Sequence, residues 1–337
     1  MIDVLVAGGG PAGLAAAVRA AGLGLEAVVV EPRPVPVDKA CGEGIMPSGV
    51  AALRALGVEP AGHPLRGIRY VRGTRSAEAD FTGPAGLGVR RTVLHTALYE
   101  RAVGLGVRVV PGKVTGVHQG PDRVTACGLT ARWLIAADGL HSPVRRGLGL
   151  DGPVSPVRRY GQRRHFRVAP WTPFVEVHWS ARGEAYVTPL GGDLVGVAVL
   201  SQERRAYADQ LADFPGLAAV LAGREDGPVR GAGPLRRRAR TPWADRVLLA
   251  GDAAGYVDAL TGEGVALAVA TARAAVDAVA AGRPQDYPAA WARLTRRHRV
   301  LTAGLLALAR RPGTARLVVP AAHRAPALFR TAVRALQ

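Results

Sequence analysis

Gly8, Gly10 and Gly13 form the pattern G-x-G-x-x-G, with Ala12 between the last two, and Glu31 stands further along the chain. This spacing serves one kind of chemistry, the holding of a pyrophosphate. The first glycine allows a tight turn, the second lets the backbone approach phosphate oxygens, and the third lets a helix pack closely on a strand. Free N–H groups and partial positive charge at a helix start face the anion. An acid such as Glu31, at the end of the following strand, accepts hydrogen bonds from a ribose. Two further acids close apolar runs: Asp138 in IAADG (135–139) and Asp252 in LLAGD (248–252). The glycine motif alone does not choose between NAD, NADP and FAD.

The elements that must position these residues are legible in outline. IDVLVA (2–7) is a strand, the run after GGGPAG is a helix that ends near Gly22 or Gly24, and AVVVEPR (27–33) is a second strand. This is a β-α-β unit. SGVAALRALG (48–57) is a short helix with Ser48 as its cap. Residues 67–81 alternate like a hairpin, and 90–106 has helical spacing. Strand signals continue from 151 to 240, broken by a helical piece at 202–222. Helical patterns return at 264–281 and from 288 onward. The expected architecture is α/β: a discontinuous Rossmann-like dinucleotide-binding domain (1–66, 88–150 and 241–287), an inserted β-sheet substrate domain (67–87 and 151–240), and a C-terminal helical segment (288–337).

The totals narrow the field. The 337 residues are 48% apolar and carry a formal charge of +18. Lysine occurs only at 39 and 113, and the arginines are scattered apart from groups such as RRRAR (236–240). A nucleic-acid binder would cluster its charge on one face, so no nucleic-acid partner is expected. Cys41 and Cys127 stand far apart, which indicates neither a disulfide framework nor a metal site, and the eight histidines show no metal spacing. The apolar N-terminus lacks a basic leader and is broken by glycines and Pro11, so a cytoplasmic location is expected. Arginines alternate with leucines at helical spacing near the C-terminus. That pattern is read either as a helix packed on its parent domain or as peripheral membrane contact.

The glycine fingerprint, the Asp138–Gly139 segment and the Gly251–Asp252 segment, spread over residues 2–270, together resemble the flavoprotein monooxygenase superfamily with the p-hydroxybenzoate hydroxylase type of fold. KACGEGIMP (39–47) and GDAAGYVDALTGEGVALA (251–268) resemble its geranylgeranyl-reductase-like branch. The resemblance implies FAD as cofactor, with Asp252 on the ribityl chain. It implies that Cys41, Gly42 and Gly44 line the flavin, that Arg91 reaches it, and that Val114 offers backbone contacts near the adenine. The turn at Gly262, Gly264 and Val265 would bring N–H donors to the ring's pyrimidine edge. Cys41 is expected to pack beside the flavin with its thiol protonated. Glu263 is expected to face solvent or act as a cap.

The prenyl reductases of that branch carry Y-x-W-x-F-P in the substrate domain. Here Tyr186 stands at the tryptophan and Thr188 at the phenylalanine, before Pro189. Tyr186, Trp179 and Trp171 could wall a smaller pocket, and His178 and His165, in predicted strands of the same domain, could line it. The expected activity is an FAD-dependent oxidoreductase acting on a lipophilic or aromatic small molecule. A monooxygenase working through a flavin hydroperoxide is weighed ahead of a C=C reductase and of an electron-transfer flavoprotein that passes electrons to a quinone. A dinucleotide-sensing binding module is the reading outside redox chemistry. NAD(P)H is expected as a transient electron donor, because no second fingerprint is present. No catalytic acid or base is assigned.

Overall fold

In the computed structural model, which describes residues 1–309 and 312–335, the chain begins at the centre of a sheet. Ile2–Ala7 is buried on both faces apart from Asp3, and Ala27–Glu31 is buried throughout. Such runs of Val, Ile and Leu suit a parallel sheet covered on both sides. From edge to edge the strands are Trp243–Ala244, Val247–Leu249, Leu129–Ala136, Ile2–Ala7, Ala27–Glu31 and Arg108–Pro111, with His118–Gln119 and Val124–Ala126 attached as a side ladder. The five from Val247–Leu249 to Arg108–Pro111 are parallel. The chain goes first to one side of Ile2–Ala7 and later to the other. That reversal opens a crevice at the strand's C-terminal end, where such folds bind nucleotides.

Two Ala-rich helices, Pro11–Gly22 and Gly264–Ala280, pack together over this sheet. Pro11 occupies the first helical turn, where its missing N–H is harmless. The same device shifts the next helix. It spans Pro47–Arg54 with Met46 as its cap, so Ser48 lies inside the helix instead of capping it.

The second sheet has seven strands, in the order Glu225–Ala232, Tyr160–Arg167, Leu194–Ser201, Gly183–Gly191, Phe174–Trp179, Gly67–Arg72 and Arg75–Asp80. One face packs Phe166, Val197 and Val199 against Tyr207–Leu211 and Pro215–Leu221. The other face packs Ile68, Val177, Trp179 and Tyr186 against Val319, Phe329 and Val333 of the C-terminal helices Pro312–Arg324 and Pro326–Arg334. The long helix Tyr287–Ala309 leads into them. Of the expected helical segment 288–337, residues 310, 311, 336 and 337 lie outside the described residues. The expected limit at 87/88 divides the strand Gly86–Gly88. That strand pairs with Gly44–Ile45 and His63–Leu65, in a small third sheet, and not with the seven-stranded one.

Candidate flavin site

The glycine loop is tight where the sequence demands it. Gly8 has φ +100°, and a Cβ there would come within 2.6 Å of the Ala137 carbonyl oxygen. A Cβ on Gly13 would lie 1.8 Å from the Gly8 carbonyl oxygen, so helix and strand meet there without room for a side chain. Gly10 differs, since its Cβ position meets only Arg91 Nη2, at 3.8 Å. Ala12 packs on Gly251, whose own Cβ position is 2.8 Å from the Ala12 methyl carbon. Its place is thus in the contact between the first helix and the Asp252 turn.

Glu31 is buried at the end of its strand. Its Oε2 accepts the Gly9 N–H at 2.7 Å, and its Oε1 accepts from Arg33 Nε at 2.7 Å. Burial opposes its charge, but Arg33 and the Gly9 N–H together bring its pKa below the ordinary carboxylate value. Val114 is buried with Val28 and Val30, which leaves only its backbone for a ligand. Asp138 caps the short helix Pro143–Gly147, with Oδ2 accepting the Val144 N–H at 3.1 Å. Its Oδ1 is buried with no partner among the described residues, and burial raises its pKa.

The strongest sign of a ligand is a set of unmatched charges. Lys39 and Arg91 make no ion pair within 4 Å among the described residues, yet both have pKa values lowered chiefly by burial. Asp252 accepts no hydrogen bond there, and burial raises its pKa against the pull of Lys39, Arg91 and His298. Arg91 is buried, Asp252 half-buried and Lys39 exposed, so the cleft these charges line is open to a ligand. A dinucleotide would answer each group, with phosphates for the cations and hydroxyls for Asp252. The residues therefore fit FAD.

The loop after the second strand faces this cleft. Burial raises the pKa of the Cys41 thiol. Gly42 offers its carbonyl to Thr188 Oγ1 at 2.7 Å, and the Gly44 Cβ position lies 3.4 Å from Val175. Gly262 takes φ +71° beside Met46, and Gly264 and Val265 open the Gly264–Ala280 helix. Glu263 stands at the N-cap position of this helix, but its side chain makes no capping bond and is largely turned from solvent. Its Oε2 pairs with His298 Nδ1 at 2.8 Å, and Thr261 Oγ1 lies 3.2 Å from the same nitrogen. The flavin turn is thereby pinned to the long C-terminal helix.

The substrate-side residues divide by strand parity. Trp179 and Tyr186 point towards the C-terminal helices, and Tyr186 Oη donates to the Leu260 carbonyl at 3.4 Å. His178 does not join them. Neighbours on a strand point to opposite faces, and His178 sits on the far face. There it pairs with Glu176 at 3.1 Å, beside Trp171, whose Nε1 donates to the same carboxylate at 3.0 Å. His178 and Trp171 thus lie outside the pocket that sequence reasoning gave them.

Four features escaped the sequence reading. Lys39 is one of only two lysines in an arginine-rich chain, and that scarcity was a usable signal. His95 is buried and donates from Nε2 to the Gly9 carbonyl at 2.9 Å, which steadies the glycine loop. Glu43 is buried between the two sheets. Arg159, also buried, pairs with Glu184 at 2.7 Å and with Asp258 at 3.0 Å on the pocket side of the seven-stranded sheet. Burial raises the pKa of both acids, against the attraction of Arg159.

Comparison with known proteins agrees with this geometry. A family described as "FAD binding domain" matches residues 1–160. The menaquinone reductase of Mycolicibacterium smegmatis is 31% identical over 99% of this chain and 91% of its own. The digeranylgeranylglycerophospholipid reductase 1 of Methanopyrus kandleri is 31% identical over 81% of this chain and 79% of its own. A flavoprotein/dehydrogenase from Cytophaga hutchinsonii shares the fold, with a TM-score of 0.84 at 20% identity over 99% of this chain and 92% of that one. No helix among the described residues is long and apolar enough to cross a membrane. With a nucleotide crevice at the reversal of the first sheet, unmatched charges around it and near-full-length kinship to these reductases, the chain belongs to the geranylgeranyl-reductase-like branch of the FAD-dependent monooxygenase and reductase superfamily.

Proposed function

We propose that the protein is an FAD-dependent reductase that saturates a carbon–carbon double bond in a lipophilic molecule bearing a prenyl chain or a quinone. The near-full-length identity to a menaquinone reductase carries this reading. The relatives thus favour reduction over the oxygenation that the altered aromatic motif suggested. The pocket side of the second sheet supports it, since Val177, Trp179, Tyr186, Leu200 and Leu260 form one apolar cluster with Phe329 and Val333.

When bound, FAD would supply the hydride, and a proton drawn from solvent would complete the saturation. The chain's own residues bind and orient. Lys39 and Arg91 neutralise the phosphates, and Asp252 accepts hydrogen bonds from the ribityl hydroxyls. N–H groups at Gly264 and Val265, at the start of their helix, would offer donors to the negative charge that reduction places on the ring. The apolar wall keeps water from the reacting carbon. The electrons would come from NAD(P)H bound transiently.

The test is anaerobic turnover. Protein reduced with NADPH under nitrogen is mixed with menaquinone or with a geranylgeranylated glycerolipid, and the product mass is read. A gain of two hydrogens that persists after any quinol has been reoxidised in air is expected. A product that forms only with oxygen and gains an oxygen atom would overturn the reading and restore the monooxygenase.

A further inference from the structure

We infer that Glu43 is the positioning residue that holds the Cys41–Gly44 loop in register for the flavin, and that it does so by tying the nucleotide half to the seven-stranded sheet. The inference rests on the flavin reading above.

Glu43 stands between Gly42 and Gly44 yet has φ +60°, a left-handed conformation that side chains rarely adopt. Its side chain is completely buried. A strained, buried carboxylate persists only when its surroundings over-determine it. Each oxygen answers to a different part of the molecule. Oε1 accepts the backbone N–H of Arg91 at 2.8 Å, at the start of the helix Arg91–Gly104, where a carboxylate also meets the positive end of the helix dipole. Oε2 accepts from His165 Nε2 at 2.8 Å, on Tyr160–Arg167 of the other sheet. The His165 Nδ1 then accepts from Arg163 Nη1 at 3.2 Å.

The surroundings are shaped to this carboxylate. A Cβ on Gly196 would fall 2.7 Å from Glu43 Oε2, so the strand Leu194–Ser201 leaves room for the carboxylate only because it carries a glycine there. Arg163 continues the link to Asp38 at 2.5 Å, and Asp38 meets the half-exposed Arg230 at 2.9 Å. Thr188 binds Gly42 from the same sheet. The loop that faces the flavin is therefore fastened on one side to the helix carrying Arg91 and on the other to the substrate side. A carboxylate serving stability alone would not need partners in both halves.

The test compares Glu43→Ala, His165→Ala, the double variant and Glu43→Gln. FAD affinity is read from flavin fluorescence, the ring's surroundings from visible circular dichroism, and stability from urea unfolding of the FAD-free chain. We expect Glu43→Ala to weaken FAD binding about tenfold and to change the dichroism. The double variant should bind no more weakly than Glu43→Ala, because the two residues act through one contact. Glu43→Gln, which keeps an acceptor for the Arg91 N–H, should bind within about twofold of the parent. Strictly additive losses, or unchanged affinity and dichroism in Glu43→Ala, overturn the inference. If Glu43→Ala does not fold, His165→Ala decides, and an unchanged flavin signal there overturns it equally. A parent chain that takes up no FAD sinks the flavin reading itself, and the positioning role with it.

Discussion

Gly10 and Gly13 belong to one motif but do different physical work. At Gly13 a methyl group would meet a backbone carbonyl oxygen at 1.8 Å, which neither helix nor strand can yield without moving. Gly13→Ala should therefore cost about 3 kcal/mol of stability, as overpacking does, visible in urea unfolding of the FAD-free chain. Gly10 has φ −76° and open space at its Cβ position. Gly10→Ala should leave unfolding nearly unchanged while FAD affinity falls about tenfold, or ~1.4 kcal/mol. Equal losses of stability in the two variants would contradict this division. The acids beside Arg159 give a second prediction. Asp258 and Glu184 both have folded pKa values above their ordinary ones because they are buried. The folded chain then holds protons that the unfolded chain has released, so these groups lower stability as pH rises from the ordinary carboxylate range through the raised values. Asp258→Asn removes one of them. Its melting temperature should drop less than the parent's as pH rises above the ordinary carboxylate range, and a steeper drop would reverse the assignment.

Among the elements, those that contact their neighbours in sequence were the easiest to read. The first β-α-β unit, the Asp252 strand and the helix after TGEG are all declared by local apolar runs and glycines. What stayed hidden depends on distant pairing. Glu43 reads as a loop residue until His165, on a strand far along the chain, is brought to it. His178 reads as a pocket residue until strand parity turns it towards Glu176. Glu263 reads as a cap until the long helix supplies His298. The arginine–leucine pattern of the two last helices suits packing on the parent domain, but it does not say that the second sheet is what they roof. Phe329 is buried there, with its ring 4.7 Å from that of Tyr70, which in turn lies 5.4 Å from Trp179. Phe329→Ala should cost about 3 kcal/mol of local stability. Faster amide exchange across Pro326–Arg334, with Ile2–Ala7 unaffected, is the expected result. Uniform acceleration over both would mean that this helix is part of the global folding unit.

For the whole molecule, the excess of 44 basic over 26 acidic side chains has to be placed before it explains anything. Part of it is consumed internally, at Arg91, Arg145, Arg159 and Arg163, all buried. Another part is displayed. Arg293, Arg296, Arg297 and Val300 are exposed at positions that share one face of the helix Tyr287–Ala309. Val300 is 64% exposed, and Leu317 and Leu328 on the following helices are 60% and 71% exposed. Basic side chains with apolar neighbours suit the surface of an anionic bilayer. The lipophilic substrate proposed above, held beneath the same C-terminal helices, would give that contact a purpose, because it could pass from lipid to pocket without crossing water. We therefore expect the protein to co-sediment with vesicles containing phosphatidylglycerol and to be released by high salt. Replacing Arg293, Arg296 and Arg297 by Ala should weaken binding about a hundredfold, at ~1 kcal/mol for each cation near the surface. Turnover of a water-soluble short-chain substrate should be unchanged in that variant, since none of the three lines the flavin cleft. Equal affinity of parent and variant for the vesicles would remove the membrane face and leave these arginines as solvated surface.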